Sequence, residues 1–287
     1  MQPRRSALYM PGANIRAMDK ARQLDCDVVI FDLEDAVAPA AKVTARQQVV
    51  AQLAAANYGG RELVVRVNGL ATPWGEEDVR ACAQLPIAVL LFPKVSSLEY
   101  MQKIDALLDQ VNPQMRAWIM IETATAIVDL QRFAGHRRVD VLVMGTSDLV
   151  QELRATHTAD RSNLAYALQR SVAVARHFGK DILDGVHLDF RNLDVLRAVC
   201  DQGKAMGFDG KTLIHPEQID TANAVFGYSD DEVAHARAVL AAWRQAESQG
   251  LGVAELNGQL IENLHAAEAE RVIAFVDALN KNKRQTV

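Results

Sequence analysis

Residues 139–149 read VDVLVMGTSDL: a nearly unbroken aliphatic run, Val139–Met144, leads straight into the polar string Gly145-Thr146-Ser147-Asp148. A short apolar run without strict alternation suits a strand covered on both faces, as in a parallel sheet. The pattern recurs in both directions along the chain. Ser6–Gly12, Val28–Val37, Leu63–Gly69, Val89–Val95, Ala117–Thr123, Ile182–Asp189 and Gly210–Pro216 are similar runs, and with Val139–Leu149 they make eight strand candidates. Longer amphipathic segments lie between them. Ile15, Met18 and Leu24 line one face of the first, and Val233, Ala236, Leu240 and Trp243 line one face of a late one. Ser96-x-x-Glu99 and Ser229-x-x-Glu232 read as capping boxes that start two helices. Eight strands, each followed by a helix, is the arithmetic of an α/β protein of the (β/α)8 TIM-barrel kind. A doubly wound open sheet would have fewer strands and a glycine-rich first turn, and Pro11-Gly12-Ala13-Asn14 is no GxGxxG.

The barrel is expected to occupy residues 1–228, with Ile219–Gly227 as a short helix near its end. Residues 229–287 are left over as a C-terminal helical extension. Within it Ser229–Ser248 reads as a helix, Gly250–Gly258 as a turn or linker, Leu260–Leu279 as a final helix and Asn280–Val287 as a frayed end. Such a tail serves as a lid, a dimer arm or an outer helix pair.

Composition narrows the function classes. The chain has 287 residues, 49% hydrophobic and 23% charged, which is ordinary for a soluble globular protein. A net charge of −5 offers nothing to nucleic acid. Cys26, Cys82 and Cys200 are far apart and form no CxxC pair, so neither a zinc site nor a disulfide framework is expected and a reducing cytoplasm fits. The opening MQPRRSALYMPG has no long apolar run after its arginines, which argues against a signal peptide. No apolar stretch approaches the roughly 18 residues of a membrane span.

In such a barrel the chemistry sits at the carboxyl ends of the strands. Those ends read Asp32-Leu33-Glu34-Asp35, Arg66-Val67-Asn68, Pro93-Lys94, Glu122-Thr123, Gly145-Thr146-Ser147-Asp148, Asp184 and His187, and His215-Pro216. So many acids at one mouth call for a counter-ion. Glu122 and Asp148 end neighbouring strands and form the best ligand pair for a hard, octahedral Mg2+ or Mn2+. Helix capping is the equal alternative for both. Arg66 carries a fork suited to a substrate carboxylate, with a salt bridge to Glu34 or Asp35 as the plainer reading. His187 and His215 read as hydrogen-bonded scaffolding rather than acid–base groups. Lys94, beside several carboxylates, should stay protonated and is a poor Schiff-base candidate.

Taken in order, the segments Arg5-Ser6-Ala7-Leu8-Tyr9-Met10-Pro11-Gly12, Asp32-Leu33-Glu34-Asp35-Ala36-Val37 with Lys42 and Arg46, Arg66-Val67-Asn68, Pro93-Lys94, Ile121-Glu122-Thr123-Ala124, Gly145-Thr146-Ser147-Asp148-Leu149 and Gly210–Gln218 resemble the citrate lyase β-subunit-like (CitE-like) group. That group stands among the HpcH/HpaI aldolases, close to citramalyl-CoA and malyl-CoA lyases. The resemblance implies a TIM barrel, Mg2+ held by Glu122 and Asp148, and Arg66 gripping a 2-oxo acid carboxylate. It also implies a coenzyme A or acyl-carrier thioester as the other half of the substrate. Arg16, Lys20 and Lys42 are then candidates for the nucleotide phosphates, and Glu34 and Asp35 for holding metal-bound waters. A homo-oligomer, trimer or hexamer, is the family's expected state.

One segment departs from the family. Where a Gly-x-Met-Ile-Asp-x-Pro lid is usual, this chain has Gly258-Gln259-Leu260-Ile261-Glu262-Asn263-Leu264. Glu262 replaces the aspartate thought to act from a neighbouring subunit, and it becomes the candidate proton donor to an enolate carbon. The implied activity is cleavage of a 3-hydroxy-3-carboxy acyl thioester, first of all citramalyl-CoA to acetyl-CoA and pyruvate, with malyl-CoA as a second substrate. The alternatives are a citryl-thioester lyase subunit of a citrate lyase complex, a metal-dependent aldolase for free hydroxy-oxo acids, and an inactive assembly partner.

Overall fold

The computed structural model describes residues 2–284. Strand and helix alternate from the start: β1 (Ser6–Pro11), α1 (Ile15–Ala21), β2 (Val28–Asp32), α2 (Lys42–Ala55), β3 (Glu62–Arg66), α3 (Gly75–Cys82), β4 (Val89–Phe92) and α4 (Leu98–Val111). The second half continues with β5 (Arg116–Ile121), α5 (Ala124–Asp129), β6 (Val139–Met144), α6 (Thr146–Glu152), α7 (Ala165–His177), β7 (Asp181–Asp184), α8 (Leu193–Met206), β8 (Gly210–Leu213) and α9 (Ile219–Phe226). Each strand pairs in parallel with the next, and β8 returns to β1, so the sheet closes into a barrel. By internal contacts the chain divides into two compact units, Arg4–Phe226 and Gly227 onward together with the residues before Arg4.

Side chains alternate across each strand, and that alternation sets the site. Val28, Ile30, Val64, Leu91, Trp118, Met120, Val143 and Leu183 fill the barrel interior. Val29, Phe31, Val65, Leu90, Ile119, Ile121 and Ile182 point out into the layer between barrel and helices. A fully buried side chain of this kind contributes roughly 1.5–3 kcal/mol. The same parity carries Asp32, Arg66 and Glu122 inward at the carboxyl ends of β2, β3 and β5. At the opposite end Arg4 closes the barrel, pairing with Glu62 at 2.6 Å and with Asp181, and lying 5.2 Å from the Trp118 ring centroid.

The second unit holds α10 (Asp230–Ser248), a hairpin of β9 (Ala254–Leu256) and β10 (Gln259–Ile261), and α11 (Asn263–Arg284). Val233, Ala236, Val239, Leu240, Ile261, Ala266, Ala269 and Val272 form its own core. Ser229 and Glu232 form the expected capping box at the start of α10.

Several expectations need correction. Helix α4 is capped by Ser97, whose Oγ accepts from Tyr100 N at 3.1 Å, so the expected Ser96-x-x-Glu99 box does not form and a simple one-bond cap stands one residue later. Ile15 is exposed, and of the expected stripe on α1 it is Met18 that enters the core. The supposed linker Gly250–Gly258 contains a strand. Asn257 and Gly258, at φ 53° and 79°, make the left-handed two-residue turn that joins it to Gln259–Ile261. The final helix therefore begins at Asn263 rather than Leu260 and continues through Asn280 to Arg284. The rest of the expected frayed end, Gln285–Val287, lies outside the described residues. Among the described residues no helix is long and apolar enough to cross a membrane.

Candidate active site

Asp32 and Arg66 end adjacent strands in register, which brings their side chains side by side. Arg66 donates from Nε to Asp32 Oδ1 at 2.7 Å and from Nη2 to Oδ2 at 2.6 Å, a fork-to-fork pair. Its remaining nitrogen, Nη1, lies 3.1 Å from Glu34 and 3.5 Å from Asp35. Burial alone would make the guanidinium easier to deprotonate, but the charge and hydrogen bonds of Asp32, together with Tyr9 and Glu34, outweigh it and the pKa of Arg66 is raised. Asp32 also fixes the loop after β2, accepting from Glu34 N at 2.8 Å and Ala36 N at 3.0 Å. Beneath the guanidinium lies the Tyr9 ring, 4.7 Å from Arg66 Cζ to the centroid.

Glu122 follows β5 directly and is 2% exposed. Its Oε1 accepts from the backbone N of Lys94 at 2.7 Å. Lys94 has φ 52°, uncommon outside glycine, and this left-handed turn puts its amide on Glu122 while its ammonium stands 3.2 Å from Glu34 and 3.7 Å from Asp148. On the other side Glu122 packs against Gly145, where a Cβ would fall 2.4 Å from both Glu122 Cβ and Oε2. Only glycine fits there. Burial, followed by the charge of Glu34, pushes the Glu122 carboxyl up to about 8, against the opposing pull of the Lys94 amide. Asp148 adds to the upward push from the first turn of α6. Burial likewise raises Glu34, although Arg66 and Lys94 oppose it.

Tyr9, Asp32, Arg66, Glu122, Asp148 and Thr212 line one cavity of about 330 Å3, with Met120, Met144, Val186 and Ile214 as apolar wall. Negative charge there exceeds what Arg66 and Lys94 neutralise. Glu34 Oε2 is buried without a hydrogen bond, despite its nearness to Arg66. Among the described residues no three His, Cys, Asp or Glu side chains close around a point. An ion between Glu122 and Asp148 would therefore complete its shell with water or ligand oxygens, which fits a small hard dication. The residues present suit such a group.

Of the residues singled out in the sequence, Arg66, Glu122, Asp148 and Asp35 line this cavity, and Glu34 touches Arg66 and Lys94. Arg16 and Lys20 are exposed on α1. Lys42 is corrected: it is turned inward, donating to the carbonyls of Leu33 at 2.9 Å and Glu34 at 2.6 Å, so its ammonium secures the β2–α2 loop rather than facing phosphates. Asp184 also leaves the acidic cluster. It points outward from β7 and is paired with Lys211 at 2.9 Å and Arg161 at 2.7 Å, all within the protein. His215 is scaffolding: it stacks on Phe190 with centroids 4.5 Å apart and accepts from Glu217 N. His187 lines a separate cavity of about 320 Å3. Glu262 belongs to the second unit, exposed, with its amide donating to His265 Nδ1 at 3.0 Å. Lys94 stands beside the carboxylates and its pKa is raised, as the sequence implies, but its backbone bond to Glu122 and the roles of Tyr9 and Asp32 are not evident in the sequence reading. Counting parity along β1 and β2 would have found the latter two, but nothing local announces a left-handed lysine.

Comparison with known proteins identifies the family. The HpcH/HpaI aldolase/citrate lyase model matches residues 5–216. A (3S)-malyl-CoA thioesterase of Cereibacter sphaeroides is 43% identical over 277 residues, covering 96% of both chains. The mitochondrial citramalyl-CoA lyase of Homo sapiens is 29% identical over 97% of this chain and 87% of that one. Among solved structures, CitE from Mycobacterium tuberculosis in complex with magnesium, acetoacetate and coenzyme A superposes with a TM-score of 0.76 at 27% identity, covering 95% and 97% of the two chains. The chain belongs to the HpcH/HpaI aldolase/citrate lyase family, as a CitE-like member.

Proposed function

We propose that this enzyme acts with Mg2+ on a 3-hydroxy-3-carboxy acyl-CoA thioester and cleaves it to a 2-oxo acid and acetyl-CoA. The observation that carries the reading is the undercompensated set of carboxylates, Asp35, Glu122 and Asp148, that lines one cavity with Arg66, with Glu34 adding its charge beside Arg66. Malyl-CoA, yielding glyoxylate, now precedes citramalyl-CoA as the substrate to test, because the 43% identical relative is named for malyl-CoA.

Glu122 and Asp148 would hold the ion, which when bound supplies a Lewis acid to the substrate's hydroxyl and carboxylate oxygens. Lys94 and Gly145 fix the Glu122 carboxylate from both sides. Arg66, anchored by Asp32, orients the carboxylate of the oxo acid half through Nη1. Glu34 and Asp35 flank that nitrogen, and in this reading they would hold water bound to the ion. As the carbinol passes its proton to solvent, its oxygen becomes the carbonyl of the 2-oxo acid, and the electron pair of the broken C–C bond passes to the thioester as an enolate. Glu262 is the proposed donor of the proton that turns the enolate into acetyl-CoA. A homo-oligomer is part of this reading, since the resemblance assigns that group to a neighbouring subunit. Arg16 and Lys20 are the proposed contacts for the coenzyme A phosphates.

A second reading is net hydrolysis of the thioester to the free hydroxy acid and coenzyme A, and the name of the 43% identical relative favours it. One experiment separates the two. Purified protein with Mg2+ is incubated with malyl-, citramalyl- and citryl-CoA, and the products are identified by chromatography. Acetyl-CoA with glyoxylate supports cleavage, and free coenzyme A with malate supports hydrolysis. Consumption of none of the three, or full turnover in chelator, overturns the proposal.

A further inference from the structure

The cavity contains a strong hydrogen-bond donor that the reaction above leaves idle. Tyr9 is carried inward by the parity of β1, and its hydroxyl reaches no oxygen acceptor among the described residues. It faces Met120 Sδ at 3.9 Å, a weak acceptor. The ring lies directly under Arg66, so the hydroxyl and the Nη1 edge of the guanidinium, itself 3.5 Å from Met120 Sδ, share one wall. Arg66 itself is heavily committed: Nε and Nη2 bind Asp32, while Nη1 faces Glu34 and Asp35. An anion entering beside Arg66 therefore meets a cation already shared among three acids. A neutral donor at the same wall attracts that anion without adding a charge for those acids to compensate.

We propose that Tyr9 is a substrate-binding residue whose hydroxyl donates a hydrogen bond to the carboxylate of the 2-oxo acid half, beside Arg66. This rests on the oxo-acid reading of the site. Burial pushes the phenol up, so it stays a protonated donor at any working pH. The bond is made to a carboxylate that is charged before and after C–C scission. It therefore supports substrate and transition state alike and lowers KM rather than raising kcat.

The test is Tyr9→Phe, which keeps the ring under Arg66 and removes one oxygen. Glyoxylate and pyruvate are titrated calorimetrically into both proteins in Mg2+. KM and kcat for the oxo acid are then measured in the condensation direction with acetyl-CoA. A hydrogen bond to a charged group predicts binding and KM weaker by roughly 10- to 100-fold, with kcat unchanged within about threefold. A purely structural tyrosine would shift the melting temperature without that split. Equal oxo acid affinity in the two proteins, or a fall in kcat at constant KM, overturns the assignment and leaves the reading of the site standing. If the wild type itself binds neither oxo acid, that reading fails and the assignment falls with it.

Discussion

Replacing Glu122 with Gln should stabilise the metal-free protein at alkaline pH while abolishing its chemistry. The carboxyl titrates at about 8 in the fold against a reference of 4.5, so folding favours its protonated form. With the folded pKa raised, its contribution to stability is complete below 4.5 and is lost as pH rises through 8. A tenfold change in proton affinity corresponds to about 1.4 kcal/mol. The wild type should therefore lose about 3 kcal/mol relative to the always neutral glutamine by pH 7, and about 5 kcal/mol by pH 9. At pH 5 the difference should be under about 1 kcal/mol. Glutamine keeps an oxygen for the Lys94 amide, so the comparison isolates the charge. Urea unfolding of both proteins in chelator at pH 5, 7 and 9 measures the difference directly. Saturating Mg2+ should reverse the order, because ligand binding stabilises only the protein that binds it. A gap that stays flat from pH 5 to pH 9 would refute the reasoning.

Gly145→Ala should cost on the order of 1–3 kcal/mol by overpacking, since its methyl would collide with Glu122 at 2.4 Å. It should also weaken Mg2+ binding at least about tenfold, and unchanged Mg2+ affinity by calorimetry would show that the carboxylate tolerates displacement. Lys211→Met leaves Asp184 with Arg161 alone inside the protein, so a loss of about 3–5 kcal/mol is expected in denaturant titration, with kcat of the folded enzyme near wild type. Arg66→Lys keeps the charge but loses the fork on Asp32, and should raise the KM for the oxo acid at least about tenfold; a KM within experimental error of wild type would contradict that role.

The barrel was legible because each of its strands is covered on both sides and so is written as a plain apolar run, Val139–Met144 being typical. The shared position of Arg66, Glu122 and Asp148 followed, since parallel strands in a closed sheet deliver their carboxyl ends to one face. Partner choice was harder to read. The salt bridges expected from Arg66 to Glu34 and Asp35 form, but strand register adds Asp32 directly beside it as the fork-to-fork partner. Asp184 was misplaced because strand ends were read without parity: Leu183 fills the interior, so the next side chain must face the helices. Lys42 lies eight and nine residues from the carbonyls it binds, and only the turn between β2 and α2 brings them together. The hairpin in the second unit was readable in principle, since Asn257-Gly258 is a strong two-residue turn signal.

The most direct measurement is a crystal structure of the protein grown with Mn2+ and glyoxylate, with anomalous data collected for the metal. The predicted result is a single strong anomalous peak touching both Glu122 and Asp148, with glyoxylate completing the metal's shell and its carboxylate within hydrogen-bonding reach of Arg66. Metal bound at another place, with those two carboxylates contacting only protein, would contradict it.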